Sequence, residues 1–408
     1  MKKYDISIIG AGPAGMMAAI TASGSGKRVA LIERNPQVGR KLLATGNGRC
    51  NLTNASVTLD RFHGGAPKLV ETVLSQFGQP ATLEFFLDLG LVVKEEDDGR
   101  IFPRTNQASS VVEVLRQRLA KNNVDVLLDS QVAGIEKPSV WSVSLTSGSV
   151  VQADKLVIAT GGRAAHYLGS TGDGLYWAQK LGHSLTPIYA ALVPVEVVEQ
   201  WPKDIQGIKV EAGVWATSGK TKIGESAGDL LFTSYGVSGP AVMALAGGIA
   251  SLLKTSTVLL HIDLFPDMTE QRLEQTVERI LASDEGRTVS DALVGLLPSG
   301  MIPVIVRLAE ATESTRVAAI PKSKRLDIVR TMKDLTLTVS KLRPPKEAQV
   351  TAGGLNSAEV DPRTLESRLV KGLYFAGEML DVDGDSGGFN LQWAWSSGYV
   401  AGRCSSED

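Results

Sequence analysis

The sequence predicts an α/β protein: a split Rossmann-type dinucleotide-binding domain, interrupted by an inserted β domain and a mostly helical stretch. Three observations predict it. A Gly-Ala-Gly-Pro-Ala-Gly turn, Gly10 to Gly15, lies between an apolar strand and a helix at the start of the chain. From about Ala190 the pattern changes to short segments rich in Val, Trp and Thr with glycine turns. Near Gly372 the succession of strand, glycine turn and helix returns.

In chain order, Asp5 to Ile9 reads as a buried parallel strand, Gly10 to Gly15 as a tight turn, the stretch to about Ser23 as a helix and Arg28 to Glu33 as a second strand. Val124 to Asp129, Val140 to Leu145 and Lys155 to Ala159 read as further strands, and Ser110 to Asn122 as an amphipathic helix. These make residues 1–189 the first part of the dinucleotide domain. Residues 190–268 form the β insert, with Val210 to Thr217 as a typical strand before a Ser218-Gly219 turn. Residues 269–332 read as helical, with Thr269 as an N-cap and Glu270, Leu273, Val277 and Ile280 at helical spacing. Residues 333–345 return a strand to the insert, passing into Pro344 and Pro345, and residues 346–408 complete the first domain, opening with a strand at Leu373 to Ala376.

Composition excludes several classes. In 408 residues, 42 Lys and Arg nearly balance 44 Asp and Glu, so the molecule lacks the positive field of a general nucleic-acid binder. With 2 Cys and 4 His, and no CxxC pair, neither a disulfide framework nor a structural zinc site nor disulfide-reductase chemistry is supported, and a reducing cytoplasm fits. Met1 to Ile20 has the outline of a leader, but Asp5 and the glycine pattern favour a strand. Ala241 to Leu253 is too short and too broken by glycine to span a bilayer, so no membrane contact is expected.

The chemistry starts at the glycine turn. Gly10 permits the tight turn, Gly12 lets the backbone approach a pyrophosphate, and Gly15 lets helix and strand pack closely, with Pro13 and Ala14 opening a helix whose N-terminus faces the anion. Glu33 ends the second strand, where a carboxylate can take hydrogen bonds from ribose hydroxyls. The fingerprint alone does not separate NAD from FAD. Three more segments do. Val38 to Asn54 is a polar, glycine-bearing loop directly after the Glu33 strand. Ala159-Thr160-Gly161-Gly162 ends a buried strand. Gly372 to Gly402 holds Gly377-Glu378 and then Asp385-Ser386-Gly387-Gly388-Phe389-Asn390.

At these residues the chain resembles the bacterial family of BaiN-like or aminoacetone-oxidase-like FAD-dependent oxidoreductases, over essentially its whole length. The resemblance implies a split FAD domain interrupted by a β-barrel insert and a small helical subdomain. It implies one FAD held by the opening turn, by Glu33 and Arg34, by Arg40, Lys41, Thr45, Gly46, Asn47, Arg49, Asn51 and Leu52 of the loop, by Val132, by the Ala159 to Gly162 turn, and by Gly377, Glu378, Asp385, Gly387, Gly388, Phe389, Asn390 and Leu391. Gly387 and Gly388 would bring backbone donors to the flavin at the start of the final helix, whose dipole favours negative charge there. Ser170-Thr171-Gly172-Asp173-Gly174 resembles, more loosely, a motif of fumarate-reductase flavoproteins.

A flavin supplies hydride or single-electron chemistry, so the protein supplies positioning, electrostatics and protons. The resemblance implies reduction of a polarised carbon–carbon double bond, in an enone or in a uracil ring of ribosomal RNA. An oxygen-dependent amine or aminoketone oxidase and a flavin-containing binding protein without turnover are the alternatives. No second GxGxxG appears in strand and helix context, so NADH or NADPH would act as an external reductant without a domain of its own. Cys50, between Arg49 and Asn51, is the expected proton donor, with packing in a crowded turn as its other reading. His166 and His183 read as structural histidines, and Trp393 and Trp395 as core. The run Arg316 to Lys346, with Lys322, Lys324, Arg325, Arg330, Lys333, Lys341 and Arg343 against Asp327 and Asp334, is either a solvated helical surface or a phosphate-contacting face for ribosomal RNA.

Overall fold

The parallel sheet grows from the first strand. β1, Lys3–Ile9, is buried along nearly its whole length, as a strand flanked on both faces must be. In the computed structural model, which describes residues 3–65, 67–282, 286–344 and 347–407, the chain divides into two compact units. One holds Met1–Ala190 and Ala348–Asp408, the other Ala191–Glu347. Met1, Pro345 and Lys346, which figured in the sequence reading, lie outside the described residues.

In the first unit β1 is followed by α1, Pro13–Gly24, and β2, Val29–Ile32. β1 pairs in parallel with β2 on one side, Ile6 opposite Val29 and Ile9 opposite Ile32, and with Val150–Ile158 on the other, Ile9 opposite Ile158. Asp125–Leu127 adds to the free edge of β2. The strand Val150–Ile158 is longer than the Lys155 to Ala159 segment expected, because it serves two partners in succession. Val150 to Ala153 pair antiparallel with Trp141–Leu145, and Leu156 to Ile158 pair parallel with Leu373–Phe375. The last strand of the sheet thus comes from the far end of the sequence.

The final helix, Phe389–Ser406, packs on α1 at backbone distance. A side-chain carbon added at Gly398 would lie 2.4 Å from the Ala14 carbonyl oxygen, and one at Gly402 would lie 2.4 Å from that of Ala18. Trp393 and Trp395 are buried, as expected of core residues, and each indole N–H finds a carbonyl, of Gly377 at 3.1 Å and of Leu52 at 3.0 Å. The helix Ala108–Lys121 stands where Ser110 to Asn122 was expected; between the loop and it lie elements that no sequence signal resolved, the helices Pro67–Gln76 and Gln79–Asp88 and a small antiparallel sheet of Thr53–Asn54, Arg100–Pro103 and Val93–Glu95. Phe86 from the second of these helices meets Trp395 edge to face at 5.1 Å.

The second unit is a closed antiparallel barrel. Its strands follow the order Val195–Val197, Gly236–Ser238, Thr221–Thr233, Lys209–Ser218, Leu259–Asp263 and Leu335–Leu342. Ala212, Val214 and Ala216 alternate inward along one strand and Leu335, Leu337 and Val339 along another, the period of two that a barrel wall requires. Within the segment read as β, Pro240–Met243 and Ala246–Leu252 are helical, with Pro240 at a helix start where its missing N–H costs nothing. Between the fifth and sixth strands lie Glu270–Ala282, Val289–Leu293, Ile302–Leu308 and Lys322–Lys333, and the Thr269 hydroxyl accepts from Arg272 N at 3.2 Å as the expected cap. Among the described residues, no helix is long and apolar enough to cross a membrane.

Gly402→Val should force the final helix off α1. We expect a loss of about 1–3 kcal/mol, the range for overpacking, read as a lower midpoint in chemical denaturation, with the bound dinucleotide weakened in parallel.

Candidate FAD-binding and active site

The three fingerprint glycines stand in three different environments. Gly10 has φ +101°, and a Cβ there would lie 2.6 Å from the carbonyl oxygen of Ala159, so the turn and the end of the neighbouring strand touch backbone to backbone. A Cβ on Gly15 would fall 1.8 Å from the Gly10 carbonyl oxygen. Gly12 differs, because a Cβ there would meet nothing within 4 Å. Gly12 also begins α1 without a side-chain cap and with no acidic residue in the first turn. An uncapped helix start with open space before it is an anion site. Glu33 lies at the end of β2, buried. Its carboxylate accepts from Ala11 N at 2.8 Å, Asn35 N at 2.9 Å and Asn35 Nδ2 at 2.7 Å, which leaves one of its roughly four lone-pair positions for another donor. Ser130 N donates to the Glu33 carbonyl at 2.8 Å, and Val132 follows, buried at the start of the edge strand Val132–Glu136.

The polar loop after β2 is wound tightly. Gly46, Asn47, Gly48 and Cys50 all have left-handed φ, from 55° to 83°. Two non-glycine residues in this region within one short loop are a local cost that sites of function commonly carry. The loop ends at Asn51, whose Oδ1 is buried with no partner among the described residues. A buried acceptor left without a partner is what a ligand donor would satisfy. Lys41 Nζ lies 2.6 Å from Glu378 Oε2, while Glu378 Oε1 accepts from Thr351 N at 2.7 Å. Thr351 Oγ1 in turn accepts from Arg163 N at 2.8 Å and Ala164 N at 3.0 Å, just past the Ala159 to Gly162 turn. A Cβ on Gly162 would collide with that hydroxyl at 2.3 Å. Thr160 Oγ1 lies against the Met379 sulfur at 3.2 Å. The loop, the turn and the Gly377–Met379 segment are therefore one hydrogen-bonded cluster.

The start of the final helix completes the wall. Gly387 and Gly388 have φ +130° and +106°, and a Cβ on Gly388 would lie 2.5 Å from the Thr53 carbonyl oxygen. Asn390 folds back so that Oδ1 accepts from Gly384 N at 2.8 Å and Nδ2 donates to Gly384 O at 2.6 Å, an arrangement that shapes the loop rather than reaching out of it. Phe389 is buried against Phe62, and Leu391 packs on the core. Asp385 takes His63 Nε2 at 2.6 Å and Arg61 Nε at 3.2 Å. Burial, with Asp381, Glu378 and Asp385 nearby, pushes the Asp383 carboxyl up to about 6, against the pull of His63.

Other expected residues are held elsewhere. Arg34 binds Asp173 at 2.8 Å and Thr171 at 2.5 Å, joining β2 to the Ser170 to Gly174 motif. Arg40 donates to Asn35 Oδ1 at 3.0 Å. Thr45 Oγ1 donates to the Leu42 carbonyl. Arg49 lies over the Phe102 ring and bonds Glu96 and Asn106, so its guanidinium is committed away from Cys50. Cys50 is 0 % exposed, and burial pushes its thiol up to about 12, with a hydrogen bond to Thr45 opposing. A thiol so placed favours the packing reading of Cys50 over proton donation. His183 is buried between Glu359 Oε2 at 3.0 Å and Ser367 Oγ at 2.9 Å, and burial holds it below the ordinary histidine range. That trio has the connectivity of a nucleophile triad, but Ser367 Oγ accepts from Leu369 N and Val370 N and is buried, so it ties the chain together instead. His166 is exposed on a short turn.

Five cations of the basic run are paired with carboxylates. Lys324 pairs with Glu310 and Asp327, Arg330 with Glu270, Lys333 with Asp263, Lys341 with Glu196, and Arg343 with Glu196 and Glu347. Arg325 donates to the Ile320 and Val317 carbonyls. Glu196, Asp263, Glu270 and Glu310 lie outside the run in sequence, which is why it read as unbalanced. Thr351 and His63 escaped the sequence reading. Thr351-Ala352-Gly353-Gly354 repeats the Thr160-Gly161-Gly162 pattern and could have been noticed, whereas nothing in sequence marks His63.

Gly12→Glu should leave the protein folded but colourless, because it places a side chain and a negative charge in the open approach; absorbance of the purified protein and of its denatured supernatant measures this. Cys50→Ala, made in flavin-loaded protein, should keep turnover within a few-fold. A drop of about 10² or more would restore the thiol as acid.

The sequence matches the HI0933-like protein Rossmann domain family over residues 4–404. It is 36 % identical to a 3-dehydro-bile acid delta(4,6)-reductase of Clostridium scindens, over 98 % of this chain and 99 % of that one. It is 31 % identical to a ribosomal RNA dihydrouridine synthase of Escherichia coli, over 99 % and 98 %. Among solved structures, a 3-ketosteroid delta1-dehydrogenase from Sterolibacterium denitrificans aligns over the whole of both chains with a TM-score of 0.53 at 12 % identity, a likeness of fold. With its single dinucleotide fingerprint, its open helix start and matches spanning both ends of the split domain, the chain belongs to the HI0933-like Rossmann family of FAD-dependent oxidoreductases.

Proposed function

We propose that this protein reduces a carbon–carbon double bond conjugated to a carbonyl, that an enone on a steroid-like skeleton is its substrate class, and that it works in a reducing cytoplasm with NADH or NADPH as external reductant. The observation that carries the substrate class is the 36 % identity across nearly the full length of both chains with a protein named as a bile acid delta(4,6)-reductase. The two cysteines are free and buried, in keeping with a reducing compartment.

Bound FAD supplies a hydride. The residues do the rest. The start of α1 and the open face of Gly12 would hold the pyrophosphate, and Glu33 would offer its remaining lone pair to the adenosine ribose. Lys41, Glu378 and Thr351 fix the Ala159 to Gly162 turn, which fixes the cofactor's middle portion. The uncapped start of the final helix, at Gly388, would favour negative charge on a flavin bound near it.

A uracil ring is a second substrate with the same polarised bond, favoured by the full-length match to the rRNA dihydrouridine synthase of Escherichia coli. The paired cations Lys324, Arg330, Lys333, Lys341 and Arg343 do not add to it, since a phosphate contact at any of them would compete with an ion pair within this chain.

The test is anaerobic reduction of the bound flavin followed by stopped-flow mixing with a steroid 4-en-3-one, with uridine-containing RNA and with oxygen. Rapid reoxidation by the enone is expected. Reoxidation by RNA alone would move the assignment to uracil, and reoxidation by oxygen alone to an amine or aminoketone oxidase.

A further inference from the structure

Reduction of an enone needs an acid as well as a hydride, and burial disfavours Cys50 for that role. The acid must be reachable, charged near neutral pH and fixed beside the glycine-rich wall. We infer that His63, oriented by Asp385, delivers the proton to the substrate carbon next to the carbonyl. The inference rests on the reductase reading given above.

The two-residue strand Phe62–His63 pairs antiparallel with Asp383–Gly384, His63 opposite Asp383. That pairing pins the imidazole to the segment that leads into Gly387, Gly388 and the final helix. Gly64 and Gly65 follow against Asp381, whose Oδ2 accepts from Gly65 N at 3.2 Å, and a Cβ on Gly64 would lie 2.3 Å from the Asp381 carbonyl oxygen, so the strand cannot drift. His63 Nε2 lies 2.6 Å from Asp385 Oδ1, while Asp385 Oδ2 takes Arg61. The carboxylate is thus anchored on one oxygen and orients the ring with the other. Nδ1 makes no hydrogen bond among the described residues, and the side chain is 52 % exposed. Lys41 is bound to Glu378 and His183 is enclosed, so neither competes.

The carboxylates around the ring act in one direction, against Arg61. The hydrogen bond from Asp385 raises the His63 pKa above the ordinary value, with Asp383 and the Asp385 charge adding, and with burial and Arg61 opposing. The protonated ring is therefore stabilised relative to that of an ordinary histidine.

The step balances. Hydride from reduced FAD forms a C–H bond at the carbon remote from the carbonyl, and the double-bond pair moves to leave an enolate. The His63 Nδ1–H bond breaks and its proton forms a C–H bond at the adjacent carbon. Imidazole is left neutral, Nε2–H remains with Asp385, and water restores the proton. His63 is a catalytic residue on this reading and Asp385 a positioning residue.

Three measurements on flavin-loaded protein test it, with His63→Gln and Asp385→Asn as variants and flavin content as the check on folding. First, His63 is identified among the four histidines by its loss in His63→Gln and titrated by NMR. Its pKa should stand above that of an ordinary histidine and fall in Asp385→Asn. An ordinary value unmoved by Asp385→Asn overturns the dyad without reference to turnover. Second, with a steroid 4-en-3-one, the wild-type rate should fall as pH rises through the His63 pKa. The fall should come at lower pH in Asp385→Asn, and His63→Gln should lose about 10²- to 10⁴-fold while flavin reduction persists. Third, in D₂O the wild type should place deuterium on one face of the carbon next to the carbonyl, and His63→Gln should lose that preference. A His63→Gln enzyme within a few-fold of wild type, with the same facial preference, overturns the inference and leaves the reductase reading standing. A wild type that reduces no enone overturns both.

Discussion

Backbone contact between two helices from opposite ends of the sequence is the constraint on which the rest of the first unit depends. Gly398 and Gly402 bring the final helix against the Ala14 and Ala18 carbonyls of α1 with no side chain between them. Only at that distance can the Trp393 indole reach Gly377 and the Trp395 indole reach Leu52. Those two bonds tie the Gly-Glu segment and the polar loop to one rod. The helix starts that face outward on this rod and on α1, at Gly388 and Gly12, are then held at a fixed spacing. Van der Waals contact on that scale tolerates no added methyl, which makes the pair of glycines a structural requirement of the site although neither touches it.

Much of this was legible in the sequence because glycine constraints are local. Gly10, Gly12 and Gly15 each have a separate physical reason, and each reason can be read from a strand before and a helix after. The buried strands were legible as apolar runs, and Thr269 as a cap. What was not legible depends on pairing across long separations. The Arg316 to Arg343 cations appeared unbalanced because Glu196, Asp263, Glu270 and Glu310 lie far from them in sequence. Arg34 and Arg49, both placed in the cradle by resemblance, turn to Asp173 and to Glu96. Cys50 was judged on its neighbours in sequence, yet its burial is set by how the loop closes. The two-residue strand of His63 is too short to leave any periodic signal.

The electrostatics of the wall divide by segment. The start of α1 offers helix N-terminal N–H groups and no first-turn carboxylate. The segment before the final helix gathers Glu378, Asp381, Asp383 and Asp385, of which Glu378 is paired with Lys41 and Asp385 with Arg61 and His63, while Asp383 stays buried with a raised pKa.

The strand Val150–Ile158 has a consequence for how the protein comes into being. Its second half waits for Leu373–Phe375, which the ribosome delivers only after the entire barrel unit. Until then an apolar edge, Leu156 to Ile158, is unpaired, and α1 lacks the helix that covers it. A nascent chain therefore finishes the middle before it can finish the beginning. The half-built sheet is the species at risk of wrong strand pairing, and truncation near the C-terminus would leave an intact barrel attached to a sheet with an open, sticky edge.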